Sequence, residues 1–148
     1  MTATLRDHAG TSGGRAMVQA KTDRLPKCHL AQATILLVED EVLVRMTLAD
    51  QLRSAGYVVL EASNADEALD LVHTKGHDVQ LLLSDIRMPG RMDGVELARG
   101  IRAQHPEIKI VLASGESFSA IHWGDTDGFF PKPYNARRLI EHIKRLLG

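Results

Sequence analysis

Leu81-Leu82-Leu83-Ser84-Asp85-Ile86-Arg87-Met88-Pro89-Gly90 is the stretch on which the fold turns. Its apolar residues run without interruption towards a carboxylate, and a Pro-Gly pair follows closely. A short continuous apolar run fits a strand buried on both faces, as in a parallel sheet. Pro89-Gly90 imposes a turn, which puts Asp85 where strand gives way to loop. In open α/β sheets the crevice outside the carboxyl ends of the strands is where ligands bind. Taken alone, Asp85 reads equally well as a carboxylate that merely starts a loop. The other strand ends decide.

Working outward, Thr34-Ile35-Leu36-Leu37-Val38 is a second run of the same kind, and it ends in Glu39-Asp40-Glu41. Val44, Leu48 and Leu52 then lie four apart, the spacing of one helical face, and Gly56 suits the helix end. Tyr57 to Ala62 reads as a strand. Asn64 followed by Glu67 has the pattern of a helix start, with Ala65, Ala68, Leu69 and Val72 facing inward and Gly76 closing the helix. Val79 to Ser84 is the central strand. Asp93-Gly94 opens a third helix, and Pro106 lies beyond its end. Ile108 to Ala113 is a fourth strand, leading into Ser114-Gly115. Residues 117–127 are irregular and admit at most a short helix. Gly128-Phe129-Phe130-Pro131 is a fifth strand, placed at a sheet edge by its proline. Asn135 caps a last helix with Leu139, Ile140, Ile143, Leu146 and Leu147 on one stripe. This regular alternation predicts an α/β fold: a five-stranded parallel sheet with helices on both faces.

Composition narrows the classes. Aromatic residues are only 4% of the chain, so Leu, Val, Ile and Ala must build the core. The single cysteine, Cys28, excludes an internal disulfide framework and fits a reducing compartment. No apolar stretch approaches the length of a membrane span, and no apolar signal core opens the chain, so a cytoplasmic location and no membrane partner are expected. A formal net charge of −1 gives no electrostatic argument for nucleic acid. Residues 1–33 show neither hydrophobic period and read as a flexible, weakly basic tail. The folded domain is expected over 34–148.

Polar groups collect at the carboxyl ends of four strands: Glu39 and Asp40 after the first, Asp85 after the third, Ser114 after the fourth and Lys132 after the fifth. Carboxylates gathered this closely cannot all stay ionised without a cation. Mg²⁺ is the natural one, being hard and commonly held by carboxylates, waters and phosphate oxygens. Lys132 supplies a point charge suited to a phosphoryl oxygen, and Ser114 a hydroxyl donor. Asp85 can then act as a nucleophile towards phosphorus, with metal and lysine stabilising the charge that moves.

These residues resemble the receiver domain of two-component response regulators, of the single-domain, chemotaxis-regulator-like type. The matching pieces are Leu37-Val38-Glu39-Asp40-Glu41, Ser84-Asp85-Ile86-Arg87-Met88-Pro89, Met92-Asp93-Gly94, Ala113-Ser114-Gly115 and Phe130-Pro131-Lys132-Pro133-Tyr134, from Thr34 to the end of the chain. The resemblance implies a flavodoxin-like sheet in the strand order 2-1-3-4-5. It implies Asp85 as phosphoacceptor and Mg²⁺ ligand, Asp40 as a direct Mg²⁺ ligand, Glu39 as one directly or through water, the backbone carbonyl of Arg87 as a further ligand, and Lys132 as the partner of the phosphoryl group. Ser114 would move towards that group and Phe129 would be the rotating aromatic of the switch. The partners implied are a histidine kinase or histidine phosphotransfer protein and a downstream protein. The chain ends at Gly148, one residue past the last helix, so an output through protein contact rather than DNA binding is expected.

Three departures from the family pattern stand out. Lys132 follows Ser114 by 18 positions, fewer than usual, so the fourth helix is expected to be short or irregular. Arg91 is an extra residue in the turn after Pro89. Arg87, two positions after the acceptor, is expected to modulate the lifetime of an aspartyl phosphate. Other candidates weigh less. His73 and His77 have a helical metal spacing but read as surface histidines, Trp123 as local packing or a partner anchor, Glu116 as a loop carboxylate, and Cys28 as inert. The competing readings are a receiver segment of a hybrid histidine kinase, a phosphate sink, and a Mg²⁺-dependent aspartyl-nucleophile phosphatase. The phosphatase would share Asp85, Lys132 and Ser114, but such enzymes usually carry an aspartate where this chain has Arg87. The chain is therefore expected not to be an enzyme beyond gaining and losing its own phosphoryl group.

Overall fold

In the computed structural model, which describes residues 32–115, 124 and 126–148, the strand that carries Leu81 to Ser84 is the middle of a five-stranded sheet. The elements are β1 (Thr34–Val38), α1 (Val42–Ser54), β2 (Val58–Ala62), α2 (Ala65–Lys75), β3 (Val79–Asp85), α3 (Gly94–Gln104), β4 (Lys109–Ser114), β5 (Gly128–Pro131) and α4 (Ala136–Leu147). All pairings are parallel and the order is β2-β1-β3-β4-β5, as the alternation and the resemblance predict. β2 and β5 are the two edge strands, the position of β5 being consistent with its proline.

The uninterrupted apolar runs are explained by two cores. Leu36, Val38, Leu82, Ile110 and Leu112 face α2 and α3 and pack on Ala68, Val72, Leu97 and Ile101. Their neighbours Ile35, Leu37, Leu81, Leu83 and Val111 face the other side and pack on Leu48, Leu52, Leu139 and Ile143. Each buried Leu or Ile side chain is worth roughly 1.5–3 kcal/mol, so the strands cannot exchange faces cheaply.

The helix ends follow local chemistry. Asn64 accepts from the Glu67 N–H at 2.9 Å as its pattern predicts, but the Glu67 carboxylate reaches back to the Ser63 N–H at 2.7 Å rather than to Asn64. Asp93 and Glu96 form the full reciprocal box at the start of α3. Gly56 follows α1 at φ +98, a conformation that side-chain-bearing residues rarely adopt. Asn135 caps α4 by accepting from Arg137 and Arg138 N–H groups. The irregular segment expected over 117–127, which admits at most a short fourth helix, and the tail expected over 1–33 lie mostly on 117–123, 125 and 1–31, which are outside the described residues, as are Cys28, Glu116 and Trp123.

Sheet register is what brings the functional groups together. Val38 pairs with Ser84 and Asp85 with Ala113, so Glu39 and Asp40 leave β1 beside Asp85. Ser114 pairs with Pro131, and the Lys132 N–H donates to the Ser114 carbonyl at 2.7 Å.

Candidate functional site

The Lys132 side chain crosses the carboxyl edge of the sheet and places its Nζ 2.8 Å from Glu39 Oε2 and 3.0 Å from Asp85 Oδ2. Glu39 is buried, Asp85 nearly so, and Asp40 is exposed at the rim. Carboxylate oxygens of Glu39, Asp40 and Asp85 all lie within 4.8 Å of one another. Among the described residues this is the one cluster of His, Cys, Asp or Glu with such geometry. His73 and His77 form none, and both are exposed.

Burial pushes the Glu39 carboxyl above the usual carboxylate range, against the hydrogen bond from Lys132 and that from the Glu41 N–H. Burial works against the Lys132 charge as well, but its hydrogen bonds to Glu39 and Asp85 outweigh it and hold the ammonium well above the ordinary lysine value. Lys132 is thus a cation throughout the neutral range. Three carboxylates face one ammonium, and the excess negative charge in an all-oxygen donor set suits a small, hard divalent cation.

The backbone that presents Asp85 is held from several sides. The Ser84 hydroxyl donates to the Asp85 carbonyl at 2.8 Å, and the N–H of the next residue, Ile86, donates to the Ala113 carbonyl at 2.9 Å. Gly94, in the first turn of α3, sits directly against this segment: a Cβ there would meet the Asp85 carbonyl oxygen at 2.1 Å and the Ile86 Cα at 2.8 Å. Both neighbours are backbone and neither can swing away. Gly94→Ala is accordingly expected to destabilise the fold by about 3 kcal/mol, the upper end for overpacking, measured as a lower urea midpoint with the slope unchanged. An unaltered midpoint would show that the Asp85 loop yields freely.

Ser114 is 1% exposed and ends β4. Phe129 is half-buried and packs on the α2–α3 core, whereas Phe130 turns to the other face and meets Tyr134 and His142 edge-on. Arg87 is exposed in the loop after β3. The structure therefore gathers Glu39, Asp40, Asp85 and Lys132 by direct geometry and places Ser114 next to them through the Lys132 backbone.

Sequence reading passed over Ser84, the close approach at Gly94, and Arg45. The Arg45 guanidinium donates to the Glu39 carbonyl at 2.7 Å and lies 3.5 Å from Glu61, tying α1 to β2 behind the acidic cluster. No local pattern marks such a residue, since its partners are distant in sequence or are backbone atoms. Beside the site, α1 exposes Val42, Leu43 and Met46, and a groove of 610 Å³ runs between α1 and the Pro133-Tyr134 turn.

Comparison with known proteins bears on the family and the fold. The sequence pattern described as "Response regulator receiver domain" matches residues 35–144. The chain is 39% identical over 138 residues to the sensor kinase CckA of Brucella abortus, covering 89% of this chain and 14% of that protein. The structure is similar to response regulator TrrA of Thermotoga maritima, solved in complex with Mg²⁺-BeF, with a TM-score of 0.71, 32% identity and coverage of 78% of this chain and 99% of that one. It is also similar to the receiver domain of hybrid histidine kinase CckA, with a TM-score of 0.67, 36% identity, and coverage of 78% and 100% respectively. The chain spans less than half the length of the curated relatives it matches.

Proposed function

This chain belongs to the response regulator receiver domain family, and we propose that its Asp85 accepts a phosphoryl group from a histidine kinase or histidine phosphotransfer protein, in the presence of Mg²⁺, and passes the signal to a downstream protein. The observation that carries this reading is the Lys132 ammonium shared between Glu39 and Asp85, with Asp40 at the rim.

Glu39, Asp40 and Asp85 are the side chains that would hold the metal, joined by the Arg87 carbonyl that the family resemblance implies. When bound, the ion neutralises phosphoryl oxygens and lets the carboxylates stay ionised together. An Asp85 carboxylate oxygen forms the new bond to phosphorus as the donor's nitrogen–phosphorus bond breaks. The donor imidazole keeps that electron pair and takes a proton from solvent. Lys132 is already within hydrogen-bond reach of Asp85, so it follows the charge onto the transferred group with little rearrangement. The added group brings about 1.5–2 negative charges and three acceptor oxygens, to which Ser114 can donate. Movement of the Ser114 loop then changes the space open to Phe129. The exposed apolar residues of α1, beside the groove, supply a surface for a protein donor rather than a small metabolite.

No turnover of a separate substrate is proposed. The likeness to CckA favours a second context for the same chemistry, the receiver segment of a hybrid kinase. The test is incubation with acetyl phosphate and Mg²⁺ followed by intact mass and peptide mapping. One phosphoryl group on Asp85 is the expected result; no modification in the presence of Mg²⁺ would reject the reading. The exposed Arg87 side chain lies two residues from the acceptor, and Arg87→Ala is expected to change the lifetime of the label severalfold. Label decay after donor removal measures this, and an unchanged rate removes Arg87 from the site's chemistry.

A further inference from the structure

β5 has four residues and a single neighbouring strand, yet Lys132 at its end must be held within hydrogen-bond distance of two carboxylates. A one-residue slip would exchange Phe129 and Phe130 between the two faces of the sheet and carry Lys132 off the site. The Lys132 N–H to the Ser114 carbonyl fixes one end of this short ladder.

The other end is fixed by Asp127. Its N–H donates to the Ile110 carbonyl at 2.7 Å, and its Oδ2 accepts from the Ile110 N–H at 2.8 Å. The same oxygen accepts from Arg102 Nη2 at 2.7 Å. Arg102, in the last turn of α3, also reaches the Ile108 carbonyl at 3.4 Å. Thr126 adds a hydroxyl bond to the Ile110 carbonyl at 3.1 Å. On the α4 side, His142 Nε2 lies 3.2 Å from the Asp127 carbonyl, and its ring leaves no room for a side chain at Gly128. One residue thus ties the edge strand to β4, α3 and α4. Among the described residues, Arg102 Nε is buried with no hydrogen-bond partner. A guanidinium that gives up water at one nitrogen to reach Asp127 is not an incidental surface pair.

We infer that Asp127, with Arg102, sets the register of β5 and is thereby a positioning residue for Lys132. The inference rests on the reading of Asp85 as phosphoacceptor. It is tested on the full chain with acetyl phosphate and Mg²⁺, comparing wild type, Asp127→Ala, Asp127→Asn and Arg102→Gln. Asp127→Ala slows Asp85 labelling by about 10- to 100-fold, the range for a remote change that misplaces a reacting group. Asp127→Asn keeps an acceptor for the Ile110 N–H and recovers most of the rate. Arg102→Gln, which leaves the Asp127–Ile110 bonds in place, gives an intermediate loss and keeps the test open should Asp127→Ala not fold. In the slowed variants the Lys132 amide exchanges its hydrogen faster while amides of β1 and β3 stay protected. Slowed variants with unchanged Lys132 exchange, or labelling at the wild-type rate in a destabilised variant, would overturn the inference. A wild-type protein that takes no label overturns the acceptor reading instead, and Lys132 exchange then still decides whether Asp127 sets the strand.

Discussion

Asp85→Asn is expected to abolish phosphoryl uptake completely while leaving a folded protein. Asparagine has the same shape and can still accept a hydrogen bond from Lys132, but its neutral amide is no nucleophile towards phosphorus. The protein should not lose stability, because the wild-type cluster sets three carboxylates against one ammonium. The Asp85 charge also adds to the upward push on the Glu39 carboxyl. Removing it relieves repulsion, so without divalent cation the melting temperature should stay level or rise. Intact-mass analysis after acetyl phosphate treatment reads the chemistry, and a thermal melt reads the fold. Residual labelling of the variant at the wild-type level would move the acceptor to another residue.

Lys132→Met carries the next largest effect, and it separates catalysis from stability. Loss of one preorganised cation at the developing charge should slow Asp85 labelling by about 10²–10³-fold. Stability should fall by about 1–3 kcal/mol at neutral pH, discounted from the fully buried case because the Lys132 side chain is 25% exposed. The loss has a defined pH dependence. The Glu39 carboxyl already lies above the usual range through burial, and without Lys132 it rises further. A carboxyl whose folded pKa exceeds its unfolded value favours the folded state at low pH and loses that contribution as pH rises through the folded pKa. The gap between variant and wild type should therefore be smallest below pH ~3, where Glu39 is protonated in the folded and unfolded states alike, and grow towards neutrality. In the wild type the raised Lys132 value has the same sign: its contribution is complete below the ordinary lysine range and fades only as pH climbs through the folded value. Urea melts across the acid-to-neutral range measure this. A gap that shrinks towards neutrality would mean Lys132 is not the partner that keeps the cluster charged. Added Mg²⁺ should raise the variant's melting temperature more than the wild type's, since the variant lacks the cluster's own cation.

How much of this was readable beforehand varies with the distance over which each feature is decided. Strand identity was legible because burial on both faces demands unbroken apolar runs, and Leu36, Leu37, Leu81, Leu82 and Leu83 are all essentially solvent-free. The caps at Asn64 and Asn135 were legible because their partners lie within three residues. The reach of Glu67 to Ser63 instead of Asn64 shows the limit of even local patterns, where two neighbouring N–H groups compete for one carboxylate. Asp127 was read only as the end of an irregular segment, because its partners Arg102 and Ile110 are 25 and 17 residues away.

The sequence by itself determined the class of the fold, the identity of the carboxylates and lysine, and their arrival at strand ends, because hydrophobic period and turn chemistry act over a few residues. Leu81 to Gly90 taken alone leaves Asp85 open between reactive group and loop start, and the polar groups at the other strand ends favour the reactive reading. Tertiary structure alone decided that Lys132 bridges Glu39 and Asp85, that Gly94 must lack a side chain, and that Asp127 pins the edge strand. Each of these depends on register between strands and on packing of helix against loop. Such relations are set by the summed burial of many side chains, and no single stretch of the chain encodes them.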